Sequence, residues 1–581
     1  MGLVMMRVIG IGRQDFEKIR ISNNFYIDKT NFIREWWESD DDVTLLTRPR
    51  RFGKTLNMSM LEKFFSVNYA NRGDLFEGLN IWEEKSADGD YDYRKLQGTY
   101  PVIFLSFADI KEATFEEARK KICKIIQMVY NKFDFLLQSD VLNGNEKEDF
   151  QRISADMEDY MASLSLKMLT DYLCRYYGKK VIILLDEYDT PMQEAYVYGY
   201  WDKMVVFIRS MFNSTFKTNP CLERAFMTGI TRISKESIFS DLNNLEVVTA
   251  ISDKYTDCFG FTESEVFEAL EEYGLTEQKK QVKDWYDGFI FGKKKDIYNP
   301  WSIINFLDKR KVGAYWANSS SNSLVGKLLQ EGSVNVKEDF ETLLQGGTIC
   351  AEIDEQIVYS MLDNDEQALW SLLLASGYLK VVKYETYTSE FGEWRQDYRL
   401  GLTNFEVKTM FRNMIRKWFG GAASGYNDFV KALLVHDIRA MNTYMNKVAL
   451  NIFSYFDTGR NPSGEEPERF YHGFVLGLMV ELADRYLITS NRESGFGRYD
   501  VMLEPRKTES GAVMNDAVIM EFKVQEAAEK ELSDTVKEAL RQIEEKDYQA
   551  NLVAKGIPEG RIRKYGFAFC GKKVLIGSVE D

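Results

Sequence analysis

Leu45-Leu46-Thr47-Arg48-Pro49-Arg50-Arg51-Phe52-Gly53-Lys54-Thr55 is the stretch on which the fold turns. The apolar pair Leu45-Leu46 reads as the end of a strand, and Leu56-Asn57-Met58-Ser59-Met60-Leu61 as the start of a helix. Between them, Gly53-Lys54-Thr55 is the closing half of a loop that cradles phosphates. Gly53 lets the backbone approach, Lys54 reaches the β/γ oxygens, and the Thr55 hydroxyl ligates Mg²⁺. The helix N-terminus adds N–H donors and a positive dipole end. The pattern departs from its full form where Arg48 stands in place of the first glycine. A Gly-Lys-Thr in a basic turn is the plainer reading of the tripeptide alone.

A second segment raises the first above that plainer reading. Val181-Ile182-Ile183-Leu184-Leu185 is an unbroken apolar run, the mark of a parallel strand buried on both faces. It ends in Asp186-Glu187. A doubly wound sheet places a Mg²⁺ ligand at the carboxyl end of such a strand, beside the phosphate loop. Asp186 is therefore expected to hold the metal or its water, and Glu187 to orient and deprotonate an attacking water. Together the two segments predict an ATP site. Pro101–Phe107 and Arg224–Ile230 read as further strands, separated by helix-length stretches, which predicts an α/β sheet built from crossovers. The latter run ends in Thr228 and Thr231 with Arg232 following. There a polar residue senses the γ-phosphate and an arginine neutralises transition-state charge; a hydrogen-bonded turn with a surface arginine is the bland alternative.

At 581 residues the chain is too long for one core and predicts three or four domains. Its net charge of −16 counts against a protein that coats nucleic acid, so DNA binding would need a locally basic groove, such as Arg561, Arg563, Lys564, Lys572 and Lys573. The 6 cysteines are scattered singly, without a Cys-x-x-Cys, which argues against a zinc ribbon or a disulfide framework. With 2 histidines in the whole chain, any metal should be a hard cation on carboxylates. The N-terminus lacks a basic segment followed by an apolar core, and no run approaches a membrane span. A cytoplasmic protein without a membrane partner is expected.

A boundary is expected near Cys258-Phe259-Gly260-Phe261, followed by a capping box at Thr262 and Glu265. From there the text reads as mostly helical, with aromatic turns at Trp285–Phe289 and Tyr315–Asn318, an Asn299-Pro300 turn, and a solvated Lys293-Lys294-Lys295 turn. It shows no acid, nucleophile or ligand cluster, and is expected to be a lid and spacer that transmits nucleotide state. Asn461–Pro467 reads as a linker. Beyond it come an apolar helix from Phe470 to Leu482, strands at Arg485–Ser490, Gly497–Leu503 and Ala517–Val524, a helix from Ser533 to about Tyr548, and a strand at Tyr565–Cys570. Strand alternation puts Glu521 and Lys523 on one face, with Asp500 on the preceding strand. Asp500 and Glu521 are suited to hold Mg²⁺, and Lys523 to position water or stabilise phosphorane charge. A solvated sheet face with an ordinary Glu/Lys pair is the alternative.

The order of these motifs resembles that of bacterial proteins that join an AAA-type ATPase-like domain to a C-terminal PD-(D/E)XK nuclease-like domain. The matching residues are Tyr26-Ile27-Asp28-Lys29-Thr30, Arg48–Thr55, Leu185–Asp189, Thr228–Ile233, Trp285–Phe289 and Tyr298–Ser302. In the C-terminal part they are Glu468, Tyr471 and His472, Glu493–Asp500, Glu521-Phe522-Lys523, Gln542-Ile543, Tyr548 and Gly566–Phe569. The resemblance implies an α/β multidomain protein. It has a P-loop NTPase domain of AAA type over 1–258, a mostly helical lid or linker region over 259–460, and a restriction-endonuclease-like α/β domain over 465–581. It makes the arginine in place of the first glycine a family habit. It implies Arg48, Arg51, Gly53, Lys54, Thr55, Asp186, Thr228 and Arg232 as nucleotide contacts. Asp500, Glu521 and Lys523 correspond to the D…ExK core, with Glu468 as the helix carboxylate and Gln542 as the helix glutamine. ATP and Mg²⁺ are the implied cofactors, Mn²⁺ serving also at the nuclease site; DNA is the implied partner, and self-association into a homo-oligomer is compatible with it. Two functional readings follow. One is an ATPase that governs a metal-dependent nuclease; the other is an ATP-driven switch whose C-terminal fold only binds nucleic acid or a protein.

Overall fold

A computed structural model describes residues 6–85, 92–232, 238–239, 242–317, 319, 323–353, 362, 365–388, 392, 394–418, 423–456, 474–475, 477–478, 480–494, 497–506, 515–525, 529, 531–570 and 573–579. The chain divides into two compact units, one made of 1–321 with 348–407 and the other of 322–347 with 408–581.

The first unit is built on five parallel strands: β1 (Val43–Thr47), β2 (Val102–Ser106), β3 (Val181–Asp186), β4 (Leu222–Gly229) and β5 (Leu245–Val248). Their order across the sheet is β2-β3-β4-β1-β5. Every residue of β1 and β3 is buried; β3 is accordingly apolar from Val181 to Leu185, while β1 buries Thr44 and Thr47 beside its apolar residues. Helices Lys54–Phe65 and Asp159–Tyr177 pack on β3, and Phe115–Asn131 packs on β2. Much of the core is aromatic, with Trp36 and Phe32 edge-on to Phe226 of β4. Because β4 lies between β1 and β3, the carboxyl ends of all three reach the same edge of the sheet. Leu46 pairs with Thr228 and Leu185 with Met227, so Thr47, Asp186 and Thr228 end up as neighbours.

The stretch expected to be mostly helical holds two antiparallel sheets as well as helices. One joins β6 (Phe261–Thr262), β7 (Asp287–Phe291) and β8 (Lys294–Tyr298) in the order β6-β8-β7. The other joins β9 (Ile349–Ala351), β10 (Leu379–Thr388) and β11 (Trp394–Leu402) in the order β10-β11-β9. The β-branched and aromatic residues of Leu379–Thr388 suit the long β10–β11 hairpin, and β8 starts inside the lysine run, directly after the exposed Lys293 of the turn. The capping box at Thr262 and Glu265 is present. Residues 259–460 are shared between the two units and do not form a body of their own.

The sheet of the second unit runs β12 (Tyr486–Ser494), β13 (Gly497–Pro505), β14 (Ala517–Val524), β15 (Ile562–Cys570) and β16 (Lys573–Ser578) in sequence order. Only the β14–β15 pair is parallel, and the Leu532–Glu545 helix makes that crossover and packs on both strands. Four of these strands match the sequence reading; β16 extends it. The expected Asn461–Pro467 linker and Glu468 lie outside the described residues. No helix among the described residues is long and apolar enough to cross a membrane.

Candidate functional site

At the end of β1 the chain turns through Arg48–Gly53 into the Lys54–Phe65 helix. Gly53 caps that helix at φ 82°, a left-handed conformation that glycine adopts without strain. Lys54 is buried, and its Nζ donates to the carbonyls of Arg48 and Pro49 at 2.8 and 2.9 Å, so the lysine closes its own loop. Burial lowers its pKa, opposed by the nearby carboxylates of Glu187, Asp189 and Asp186. Thr55 donates its hydroxyl to Asp186 Oδ2 at 2.8 Å, and Thr228 donates to the other oxygen, Oδ1, at 2.5 Å. Burial raises the Asp186 pKa against the pull of these two hydroxyls. A hydroxyl and a carboxylate so placed form a hard-oxygen pair, a donor set that fits Mg²⁺.

Glu187 follows at φ 52°, an uncommon value for a glutamate, and its N–H donates to Thr228 Oγ1 at 3.2 Å. The turn buries Tyr188, whose hydroxyl donates to the Thr231 carbonyl, and leaves Glu187 half-buried. Asp189 is buried and accepts from the N–H groups of Ile230 and Thr231 and from the Thr231 hydroxyl, at 2.9, 2.9 and 3.0 Å. The turn that follows β4, running through Ile230 and Thr231 to Arg232, is thus pinned to Asp189 just beyond β3. Arg232 itself is half-buried.

One residue expected to touch nucleotide, Arg48, is spent inside the fold, while Arg51 is exposed. Arg48 is fully buried, donates to the carbonyls of Thr47, Thr249 and Lys254, and stacks on Phe291 at 4.4 Å. Among the described residues no carboxylate partners it, and its burial lowers its pKa. Its guanidinium braces β1 against the turn after β5, which explains why an arginine replaces glycine without opening the loop. Arg51 lies over Trp301 at 4.4 Å.

The aromatic turns that seemed to carry no chemistry hold this loop in place. Phe52 is packed edge-on by Phe289 and Phe291 at 4.8 and 5.4 Å. The Arg50 carbonyl accepts from Asn299 Nδ2 at 3.3 Å and from Trp316 Nε1 at 3.0 Å. Trp316 is fixed in turn by Glu406, whose buried carboxylate accepts from the Trp316 and Ala317 N–H groups and from the Ser302 hydroxyl at 2.6, 3.2 and 2.7 Å. Burial nonetheless lifts Glu406 to about 7. Asn299 and Trp316 were missed as functional residues because their signal is a turn with an aromatic neighbour, which looks structural.

In the second unit, Glu521 and Asp500 meet one residue beyond the Val501–Met520 pair of the β13–β14 ladder. Asp500 Oδ2 accepts from the Phe522 N–H at 2.7 Å. Glu521 is 4% exposed. Its Oε1 accepts from Gln542 Nε2, which also donates to the Tyr548 hydroxyl at 3.0 Å. The helix comes close enough for this because Gly566 lies opposite Glu521: a Cβ there would sit 2.7 Å from the Val536 carbonyl. Among the described residues, Glu521 Oε2 is buried without a well-formed hydrogen bond. Burial first and the Asp500 charge second push the Glu521 pKa up to about 9, with Lys523, the Asp500 backbone N–H and Gln542 opposing. A buried carboxylate oxygen left unsatisfied beside a second carboxylate is the environment a divalent cation relieves. Asp500 and Glu521 thus fit such an ion, with the half-buried Lys523 on the same strand.

Three of the cations expected to form a basic groove are ion-paired. Arg561 and Arg563 pair with Asp516 at 3.0 and 3.3 Å, and Lys564 with Glu544 at 2.6 Å. Lys564 aligns with Ile519 and Ala568 with Lys523, which puts Lys564 about 13 Å along the strand from Lys523, whereas the exposed Lys573, paired with Cys570, is offset by only two residues, about 7 Å. Lys572 lies outside the described residues.

These two sites define a protein that joins a parallel α/β nucleotide-type module to a carboxylate site on a small mixed sheet. Comparison with known families agrees. Residues 10–239 match the family described as predicted AAA-ATPase, and residues 466–579 match the PD-(D/E)XK nuclease superfamily. The chain thus carries an AAA-ATPase-like domain and a C-terminal domain of the PD-(D/E)XK nuclease superfamily. A protein of Azotobacter chroococcum mcd 1, named "Uncharacterized protein in vnfD 5'region", is 24% identical over 563 residues, spanning 94% of each chain.

Proposed function

We propose that the protein binds and hydrolyses ATP at the Lys54–Asp186 site and cuts DNA phosphodiesters at the Asp500–Glu521 site. Lys54 supplies counter-charge to the β/γ-phosphates, while Thr55 and Asp186 hold Mg²⁺. Glu187 accepts a proton from the attacking water, and Thr228 and Arg232 face the charge that develops on the γ-phosphoryl group. In the second unit Asp500 and Glu521 hold Mg²⁺ or Mn²⁺, Gln542 orients Glu521, and Lys523 orients water and offsets negative charge on the phosphorus oxygens. The bound ions supply charge neutralisation on phosphate oxygens and, in the second site, a more acidic water.

The unsatisfied buried oxygen of Glu521 carries this reading, because an inert fold would cover it with a donor. It favours a working metal site over a C-terminal domain that only binds. The test is incubation of the full-length protein with plasmid and single-stranded DNA, with Mg²⁺ or Mn²⁺, with and without ATP, beside Lys523→Ala. Metal-dependent cleavage lost in Lys523→Ala is the expected result. Absence of cleavage under every condition, or equal cleavage by the variant, would overturn it.

A further inference from the structure

The second unit contains a cavity of about 80 Å³, several times the ~10–15 Å³ that one water needs. Leu344, Val480 and Ile488 supply apolar lining, and Lys408, Arg412 and Arg506 supply charge. Among the described residues, no acidic side chain lines it. Lys408 and Arg412 stand one turn apart on the Phe405–Trp418 helix, and Arg506 follows the last residue of β13.

These three cations converge on one cavity with no carboxylate among the described residues of its lining. Several other cations of this unit are paired, among them Arg416 with Glu481 at 3.1 Å, Lys555 with Glu504 at 2.6 Å, and the Arg561–Lys564 group as described. Among the described residues, Lys408 and Arg412 have no ion pair or side-chain hydrogen bond. Arg506 gives Nε to the Ala483 carbonyl at 3.0 Å, which leaves its charge unopposed. The Lys408 pKa is lowered by burial and then by Arg412 and Arg506. Like charges one helical turn apart destabilise a helix, so the fold bears a cost here that an anion would remove.

We propose that this cavity binds one phosphate group, held by Lys408, Arg412 and Arg506. Two guanidinium forks and an ammonium match a multiply charged tetrahedral oxyanion better than a carboxylate, which one fork would satisfy. The site is distinct from the Asp500–Glu521 centre. Arg506 lies six residues along the chain from Asp500, about 20 Å of extended strand. A phosphate held there is not the one being cut. If it belongs to DNA it lies roughly six nucleotides away, at 3.4 Å per nucleotide.

The test uses the full chain carrying Lys54→Ala, so that the nucleotide loop does not compete, titrated with inorganic phosphate at constant ionic strength. Calorimetry should show one phosphate per chain, with a matching rise in melting temperature. Arg412→Ala and Lys408→Ala should each weaken uptake by at least about tenfold, as loss of a charge-assisted contact does. Arg412→Lys should restore part of it, and Lys383→Ala, an exposed cation in the other unit, should change nothing. Without phosphate, both alanine variants should melt no lower than their parent, because each removes a repulsion. A parallel titration with duplex DNA identifies the source. Weaker binding by Arg412→Ala with a salt slope smaller by about 1 assigns the phosphate to DNA; unchanged DNA binding with phosphate uptake lost assigns it to a free phosphate compound. No saturable phosphate uptake, or uptake unaffected in both alanine variants, would overturn the proposal. The readout is independent of cleavage, so it stands or falls apart from the nuclease reading.

Discussion

Lys54 and Glu521 are both charged groups buried against a sheet, yet the chain treats them differently. Lys54 finds the carbonyls of its own loop, with three carboxylates nearby, and that loop is held from behind by Asn299, Trp316 and Phe289. Glu521 accepts from Gln542, faces the Asp500 carboxylate, and among the described residues keeps one oxygen without a well-formed hydrogen bond. Carbonyl dipoles can neutralise a buried cation inside a tight turn, so such a site forms before its ligand arrives. Two adjacent carboxylates have no such recourse; they need a proton or a metal. The first site is preformed and the second is completed by what binds it.

The contrast breaks most visibly at the catalytic groups. Lys54→Ala should lose ATP binding. Glu187→Gln should bind ATP but turn it over about 10²–10⁴ times more slowly, since only the proton acceptor is removed. Nucleotide-binding and phosphate-release assays separate the two, and normal turnover by Glu187→Gln would refute its role.

A smaller effect concerns metal-free stability. With Glu521 at about 9 in the fold, against roughly 4.3 when unfolded, its contribution to stability is complete below pH 4. That contribution then declines as pH rises toward 9. Glu521→Gln, which keeps the shape without the charge, should flatten this decline and melt higher than the parent at pH 8 in EDTA. Parallel melting curves for the two proteins across that range would show that the carboxylate is not strained.

The smallest effect tests the support behind the loop. Trp316→Phe removes one of two donors to the Arg50 carbonyl, so KM for ATP should rise about 2- to 12-fold, as for the loss of one hydrogen bond, with kcat little changed. An unchanged KM would mean the turn is only packing.

These three outcomes bear unequally on what the sequence could reveal. β3 was legible because a strand buried on both faces leaves an unbroken apolar run, and β1 and β4 from shorter apolar stretches beside their motifs; Lys54 and Thr55 were legible as a helix start and Asp186 as a strand end. The Asp500, Glu521 and Lys523 set was legible from alternation and strand order. What stayed hidden depends on residues far apart in sequence. That β4 sits between β1 and β3, handing Thr228 to Asp186, is a matter of sheet order. The short β5 has no strong pattern, and β10, largely exposed along most of its length, sits in a region that reads as helical. Arg48 looked like a phosphate ligand because a basic loop residue gives no hint that three carbonyls await it. The Arg561–Lys564 run looked like a groove because Asp516 and Glu544 are distant in sequence.

The most direct measurement is Mn²⁺ calorimetry on the full-length protein without nucleotide, in two buffers of different ionisation enthalpy at pH 7. Because burial and the facing Asp500 raise the Glu521 pKa, the account predicts one Mn²⁺ bound with net proton release from the carboxylate pair, and tighter binding as pH rises. Both should vanish in Glu521→Gln and in Asp500→Asn. Metal uptake without proton release, or uptake equal in the parent and both variants, would contradict a carboxylate pair that waits for a metal.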